Sequence, residues 1–345
     1  MIVVSRKNSL NGEDWNEIFE KLQLAVKAQA ARSFALKPNF VRDFFKTEGE
    51  PASMTDLELL SSLLTYLCGI NKEARIFICE SDSTGYGFAY QKFEQLRLPY
   101  SLSLSFKDVQ RVRLLDLSRD RLIRIEDDRF LRFHRQHQLW LSQTFFEADF
   151  KISLANLKTH NLADYSGACK NLFGCLPETN KHCHHAFIAR TIHDLALAIR
   201  PDLNILDGFR AMEGNGPTKG QHVDLGFRLF SDSALEADLN GSRSMGFEPA
   251  EIKHLELLLR TNGVKDWQPA LKEQVKLRRV DRNIRLKNSM AMLLQRLGCR
   301  VAALGCEIYD FESLSEFGEA AFRKTCKILF GKGDGKKQGK REHES

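Results

Sequence analysis

Lys158-Thr159-His160 and, ten residues after the histidine, Lys170-Asn171 place two amines, an imidazole and a carboxamide in one short stretch of chain. Amines beside an imidazole can hold a carboxylate or phosphate and stabilise developing negative charge. Histidine titrates near neutrality, so His160 is the residue expected to move a proton, with Lys158 and Lys170 as its catalytic partners. Lys37-Pro38-Asn39 offers a second amine and carboxamide from the first half of the chain. The loop Gly214-Asn215-Gly216-Pro217-Thr218-Lys219-Gly220 has glycines that allow backbone N–H groups to come close to an anion. The expected substrate-binding set is therefore Lys37, Asn39, Asn171, Gly214, Asn215 and Gly216. Asp207 and Glu213 can hold a divalent metal or orient a lysine or histidine.

Several familiar chemistries are excluded. The glycine loop does not carry a lysine directly after its second glycine followed by Ser or Thr, so it is not a Walker loop. Pro217 interrupts the dinucleotide fingerprint. The eight cysteines are scattered with no C-x-x-C pair, which removes the commonest zinc-ribbon and ferredoxin patterns. Free thiols in a reduced compartment are expected. His182-Cys-His-His185, with Cys169 and Cys175 upstream, has irregular spacing for structural zinc, and His134 and His137 read as surface histidines. Between Lys265 and Arg300 ten Lys or Arg stand against three Asp or Glu, which accounts for the whole net charge of +6. That stretch reads first as a solvated helix face, with nucleic acid or an acidic partner as the alternative.

The elements that would position these residues follow an alternating α/β order. Asp14 to Ala31 has helical periodicity, and Ser33 to Asn39 reads as a short strand stopped by Pro38. A helix capped by Ser53 or Thr55 runs to Gly69, then Arg75–Cys79 reads as a buried strand ending in Glu80. Phe150–Leu157 is the next strand and Asp202–Asp207 another, separated by an amphipathic helix from His184 to Arg200. Polar groups at the carboxyl end of each strand are where open α/β sheets place ligands. Alternation from Val109 to Phe133 around Glu126-Asp127-Asp128 predicts an inserted β-hairpin. Leu225–Phe230 is expected to be a strand, and helices are expected at Ala234–Gly246, Pro249–Leu259 and along the basic stretch Leu271–Leu297. The predicted fold is thus a mostly parallel open sheet flanked by helices, with a hairpin insertion and a helical C-terminal part. Its domain spans 1–330, in one piece or as coupled lobes of about 1–145 and 146–330, and 331–345 forms a basic disordered tail. With 43% hydrophobic residues, 24 of them Phe, the chain can fill a sizeable core. No apolar run approaches the ~20 residues of a membrane span, and Met1–Leu10 lacks a secretory core, so a cytoplasmic address is expected.

Phe150-Lys-Ile-Ser-Leu-Ala-Asn-Leu-Lys-Thr-His160, Gly167-Ala-Cys-Lys-Asn-Leu-Phe-Gly174, His185, Pro201-Asp202, Leu206-Asp207-Gly208 and Ala211-Met-Glu-Gly-Asn-Gly-Pro217 through Gly220 together resemble the central signature of the domain-of-unknown-function 362 family. Ala237-Asp238 and Met245-Gly246-Phe-Glu-Pro249 also fit, as do Leu36-Lys-Pro-Asn39 and Glu80 upstream, so the resemblance runs from about Arg32 to Trp267. It implies Lys158, His160, Lys170, Asn171, Asp207, Glu213, Asn215 and Gly216 as motif positions without assigning roles. Many members carry a ferredoxin-like cysteine cluster beside this domain; this chain does not, so an iron–sulfur cluster is not expected from it. Two functions follow. One is an enzyme acting on a small anionic substrate, with a divalent metal or a separate electron carrier as its possible helpers. The other is a non-catalytic module for an anion, metal or nucleic acid.

Overall fold

The computed structural model describes residues 1–41, 54–83, 88–133, 138–217, 219–271, 274–275, 277–281 and 284–285, with the side chain of residue 182 left out. Eleven strands are β1 (Ile2–Ser5), β2 (Ser33–Lys37), β3 (Arg75–Glu80), β4 (Val112–Asp116), β5 (Leu122–Ile125), β6 (Leu139–Ser142), β7 (Phe150–His160), β8 (Asp164–Ser166), β9 (Leu203–Asn215), β10 (Lys219–Val223) and β11 (Arg228–Ser231). Nine of them form one sheet, seven in the order β1-β11-β9-β7-β2-β3-β4, with β10 paired to β9 and β8 to β7. The run β9-β7-β2-β3-β4 is parallel throughout, while β11 and β1 close one edge in antiparallel pairs. The α/β reading therefore holds.

Strand composition explains why both faces are covered. Phe34 and Leu36 enter one apolar core with Phe150, Ile152 and Leu154, beneath helix Leu57–Ile70 and Trp15. Ala35 faces the other core with Ala155 and Leu157, under helices Ile188–Ile199 and Lys253–Thr261. The period of two in β2 and β7 thus divides between two apolar layers, as a parallel sheet requires. Strands from both sides of residue 145 pair directly, Lys37 lying opposite Ser153.

Chain order reverses between β2 and β7. From β2 the chain moves outward through β3 to β4, then returns to β7 on the other side and continues to β9. That reversal is a topological switch point, where neighbouring connections leave in opposite directions and open a crevice at the strand ends. Beyond Asn156, two steps along β7 to Lys158 correspond to five along β9, from Asp207 to Met212. This bulge lets β7 and β9 run on past the sheet as an extension edged by β8 and β10.

Several expectations change. The first helix is two, Gly12–Lys21 and Ala25–Ala30, broken where Gln23 adopts a φ of 59°. The second helix is capped by Asp56, while Thr55 accepts the Asn39 N–H at 2.7 Å and donates to Leu154 O. The hairpin centred on 126–128 does not form: β4 is a parallel edge strand, and β5 pairs antiparallel with β6 instead. The strand expected at Leu225–Phe230 is Arg228–Ser231. Helices Ala234–Ser244 and Lys253–Thr261 match their expected places. Described residues from Leu271 to Asp281 carry no helix. Ile284 and Arg285 are helical, and the other residues of the basic stretch beyond Asp281, the 331–345 tail, His134 and His137 lie outside the described residues. Among those described, no helix is long and apolar enough to cross a membrane.

Candidate functional site

The carboxyl end of β2 turns at Lys37-Pro38-Asn39, and the ends of β7 and β3 bring Lys158, His160 and Glu80 to the same edge. Lys158 is 1% exposed, and its Nζ donates to Asn39 Oδ1 at 3.2 Å. Asn39 is fixed in turn through its amide nitrogen on Asn156 Oδ1 at 3.0 Å. Burial pulls the Lys158 amine down to about 7, helped by the charges of Lys170 and Lys37. Lys170, partly exposed, lies with Nζ 4.4 Å from the centroid of the Phe173 ring. Its amine is pulled down to about 8 by burial and by the charges of Lys37 and Lys181. Among the described residues neither lysine has a carboxylate partner.

The neighbouring cations are matched. Lys37 donates to Pro38 O at 2.7 Å and to Glu80 Oε2 at 3.2 Å, and Lys92 lies 4.0 Å from Glu80 Oε1. Burial pushes the Glu80 carboxyl up, but Lys37 and Lys92 outweigh it and hold the group below its ordinary value. Gly174 seals this pair: a Cβ there would sit 2.8 Å from Lys37 Cε and 3.0 Å from its Nζ. Lys181 donates to the carbonyls of Asp82 and Glu178.

His160 accepts the backbone N–H groups of Leu162 at 3.1 Å and Ala163 at 3.2 Å on Nδ1. The ring is therefore the neutral Nε2–H tautomer, a donor. Burial, then the charges of Lys170, His185, Lys158 and His254, hold it well below the usual histidine value. Of the proton transfer expected of His160, acceptance at Nδ1 does not fit this geometry, because that nitrogen already receives two N–H donors.

Asn171 uses its side-chain NH2 on Lys37 O at 2.9 Å and Ser153 Oγ at 3.0 Å, bridging β2 and β7 at the switch point. Its amide nitrogen is thus a staple. Gly214 and Asn215 end β9, paired with Gly220 and Lys219 of β10, and Gly216 opens the turn between the two strands. Gly214 N donates to Arg278 O, Gly216 N to Gly214 O, and Asn215 Oδ1 accepts from Asp281 N, so this loop is tied to protein groups. A Cβ on Gly216 would lie 2.0 Å from Thr159 O, which is why glycine stands there. Asp207 pairs with Arg228 at 3.1 Å and Glu213 with Arg278 at 2.6 Å. The structure does not bring the two carboxylates to one metal. No group of three or more His, Cys, Asp or Glu suited to a metal occurs among the described residues.

Two residues of the site escaped sequence reasoning as site residues. Asp238 accepts from Ala168 N at 2.6 Å, Cys169 N at 2.9 Å and Tyr165 Oη at 3.1 Å, and so fixes the short helix Ala168–Asn171 that carries Lys170. Burial raises its carboxyl to about 6 against those bonds. His254, 1% exposed, stacks on Tyr165 with ring centroids 6.5 Å apart, and both ring nitrogens lack a partner. Burial and then the Lys170 charge hold it at about 3. Asp238 stood in the family signature; His254 had no local signal. A separate surface groove of about 1000 Å³, lined by Asn11, Glu13, Glu58, Ser62 and Tyr66 among others, shares no residue with the lysine cluster.

An open, mostly parallel α/β sheet with a cluster of amines at its switch point is the class this chain defines. A family described as a domain of unknown function (DUF362) matches residues 34–243, and the chain belongs to that family. A thylakoid-associated protein of Synechocystis sp. is 34% identical over 123 residues, 34% of this chain and 38% of that protein, so the chain matches well under half of that relative's length. The lactate racemase apoprotein of Thermoanaerobacterium thermosaccharolyticum superposes with a TM-score of 0.43 at 13% identity, covering 68% of this chain and 55% of that one.

Proposed function

We propose that the switch-point crevice binds a small carboxylate- or phosphate-bearing molecule, and that the protein acts on it as an enzyme. The observation carrying this reading is the unmatched charge of Lys158 and Lys170. Taking an ammonium out of water without a counter-charge is expensive, so such a group loses its proton or takes an anion. Lys170 supplies the cation, His160 Nε2–H a neutral donor, and Lys158 the base that His160 cannot be. Lys37, Asn39 and Asn171 hold these groups in place.

The basic stretch supports the nucleic-acid alternative less well. Arg278 binds Glu213, Arg285 pairs with Asp164, and Arg279 lies over the Phe247 ring, so these three charges serve the fold.

The test compares wild type with the double variant Lys158→Met/Lys170→Met by thermal melting, with and without inorganic phosphate and small carboxylates. Without ligand the double variant melts a few degrees higher, because the buried Lys158 amine and the partly desolvated Lys170 amine are gone. An anion at a hundred times its Kd adds about 2.7 kcal/mol to the wild type and nothing to the variant. A ligand shift that survives both substitutions places the anion elsewhere and defeats the proposal.

A further inference from the structure

We infer that Lys158 is a carbonyl-trapping amine and that the ligand is a small 2-oxo acid; this rests on the anion reading above.

Three features of the geometry lead there. Among the described residues, the one hydrogen-bond partner of Lys158 Nζ is a neutral carboxamide oxygen, Asn39 Oδ1, which an amine N–H satisfies as well as an ammonium does. Lys37, one strand away, has a carboxylate at 3.2 Å and a carbonyl at 2.7 Å. Lys158 therefore has what an amine needs and lacks what an ammonium needs. Desolvation beside other cations is also how lysine becomes nucleophilic near neutral pH.

The second feature is the division of labour with Lys170. Its head, over the Phe173 ring and at the partly exposed side of the cluster, is left for a carboxylate. The third is His160, whose Nε2–H can donate to an oxygen but whose Nδ1 is occupied. An amine, a cation and a neutral donor close enough to feel one another's charge match a carbonyl carbon, a carboxylate and a carbonyl oxygen. A 2-oxo acid presents all three on adjacent carbons.

The step balances without an oxidant or reductant. The Nζ lone pair forms a C–N bond to the carbonyl carbon. The carbonyl oxygen takes up the two protons that nitrogen gives up, the C–O bond breaks, and water leaves. A neutral imine between Lys158 and the acid remains.

The experiment incubates the full-length protein with pyruvate and sodium cyanoborohydride near neutral pH, followed by intact mass measurement and peptide mapping. Propionate, which lacks the ketone, and inorganic phosphate serve as anion controls in a parallel melting series. The expected result is one adduct, pyruvate less one water plus two hydrogens, mapped to Lys158. Trapping should slow at least tenfold in Lys170→Met and be suppressed by excess propionate. Pyruvate, propionate and phosphate that raise the melting temperature with no adduct at Lys158 overturn the imine and leave the anion site standing. An adduct confined to Lys170 or to surface lysines overturns it too. If no anion shifts the melt and no adduct forms, both readings fall.

Discussion

His254 combines full burial with two ring nitrogens that bond to nothing among the described residues, a combination native cores rarely tolerate. An imidazole kept neutral in that position costs about 1–3 kcal/mol relative to an apolar group of similar shape. If its only role is to stack on Tyr165, phenylalanine does that better. His254→Phe should then raise the urea midpoint by an amount equivalent to about 1 kcal/mol and leave anion-induced stabilisation unchanged. Loss of the anion response in a variant that is as stable as wild type or more so would make His254 a ligand contact. The same accounting by partners explains His160. From the sequence it was the natural base, yet the turn after β7 aims two backbone N–H groups at Nδ1. Residue type alone cannot reveal which nitrogen a nearby backbone has already used.

The β2–β7 pair is the element on which the site depends. Its strands diverge after Lys37 and Ser153, and Asn171 bonds both at that point. Asn171→Ala leaves two buried acceptors short of a donor and should cost roughly 2–4 kcal/mol in urea denaturation. Unchanged stability with a lost anion response would instead show Asn171 reaching the ligand. Much of this element level was legible. Phe34-Ala-Leu-Lys-Pro and Phe150 to His160 read as strands because apolar runs ending in polar turns have few other uses. The inserted hairpin was misread because alternation identifies a strand without identifying its partner. Leu122–Ile125 finds Leu139–Ser142, across a segment rich in charge, where the nearest turn signal pointed to 129–133. The break at Gln23 had no glycine or proline to announce it. The loop Gly214 to Gly216 was visible as glycine-rich, but only the fold shows that its glycine meets Thr159 O at close range.

Across the whole molecule, the buried amines give stability a pH dependence whose sign can be worked out. Lys158 and Lys170 sit in the native state at about 7 and about 8, and Lys181 at about 8 through burial, all below an unfolded lysine. Between those values and the ordinary lysine range, the unfolded chain binds protons that the native chain does not. Stability therefore rises with pH, by at most about 1.4 kcal/mol per pH unit for each such proton. Two opposing groups bound the window. Asp238, raised to about 6, makes stability fall as pH climbs from the unfolded carboxylate range to that value. Cys175, pushed by burial to about 12, makes it fall again once unfolded thiols ionise, near pH 9. Below about pH 6.5 the depressed His160 and His254 act against Asp238, so the clear window lies above them, where the urea midpoint should climb from about pH 7 to about pH 9. Lys158→Met/Lys170→Met should flatten the climb, leaving the smaller share of Lys181. A saturating anion should flatten part of it as well, because a bound carboxylate keeps Lys170 protonated in the native state. Midpoints measured at fixed ionic strength decide this. A wild-type midpoint that falls from pH 7 to 9 would mean that these lysines keep their protons without an anion, and the unmatched charge would no longer require a ligand.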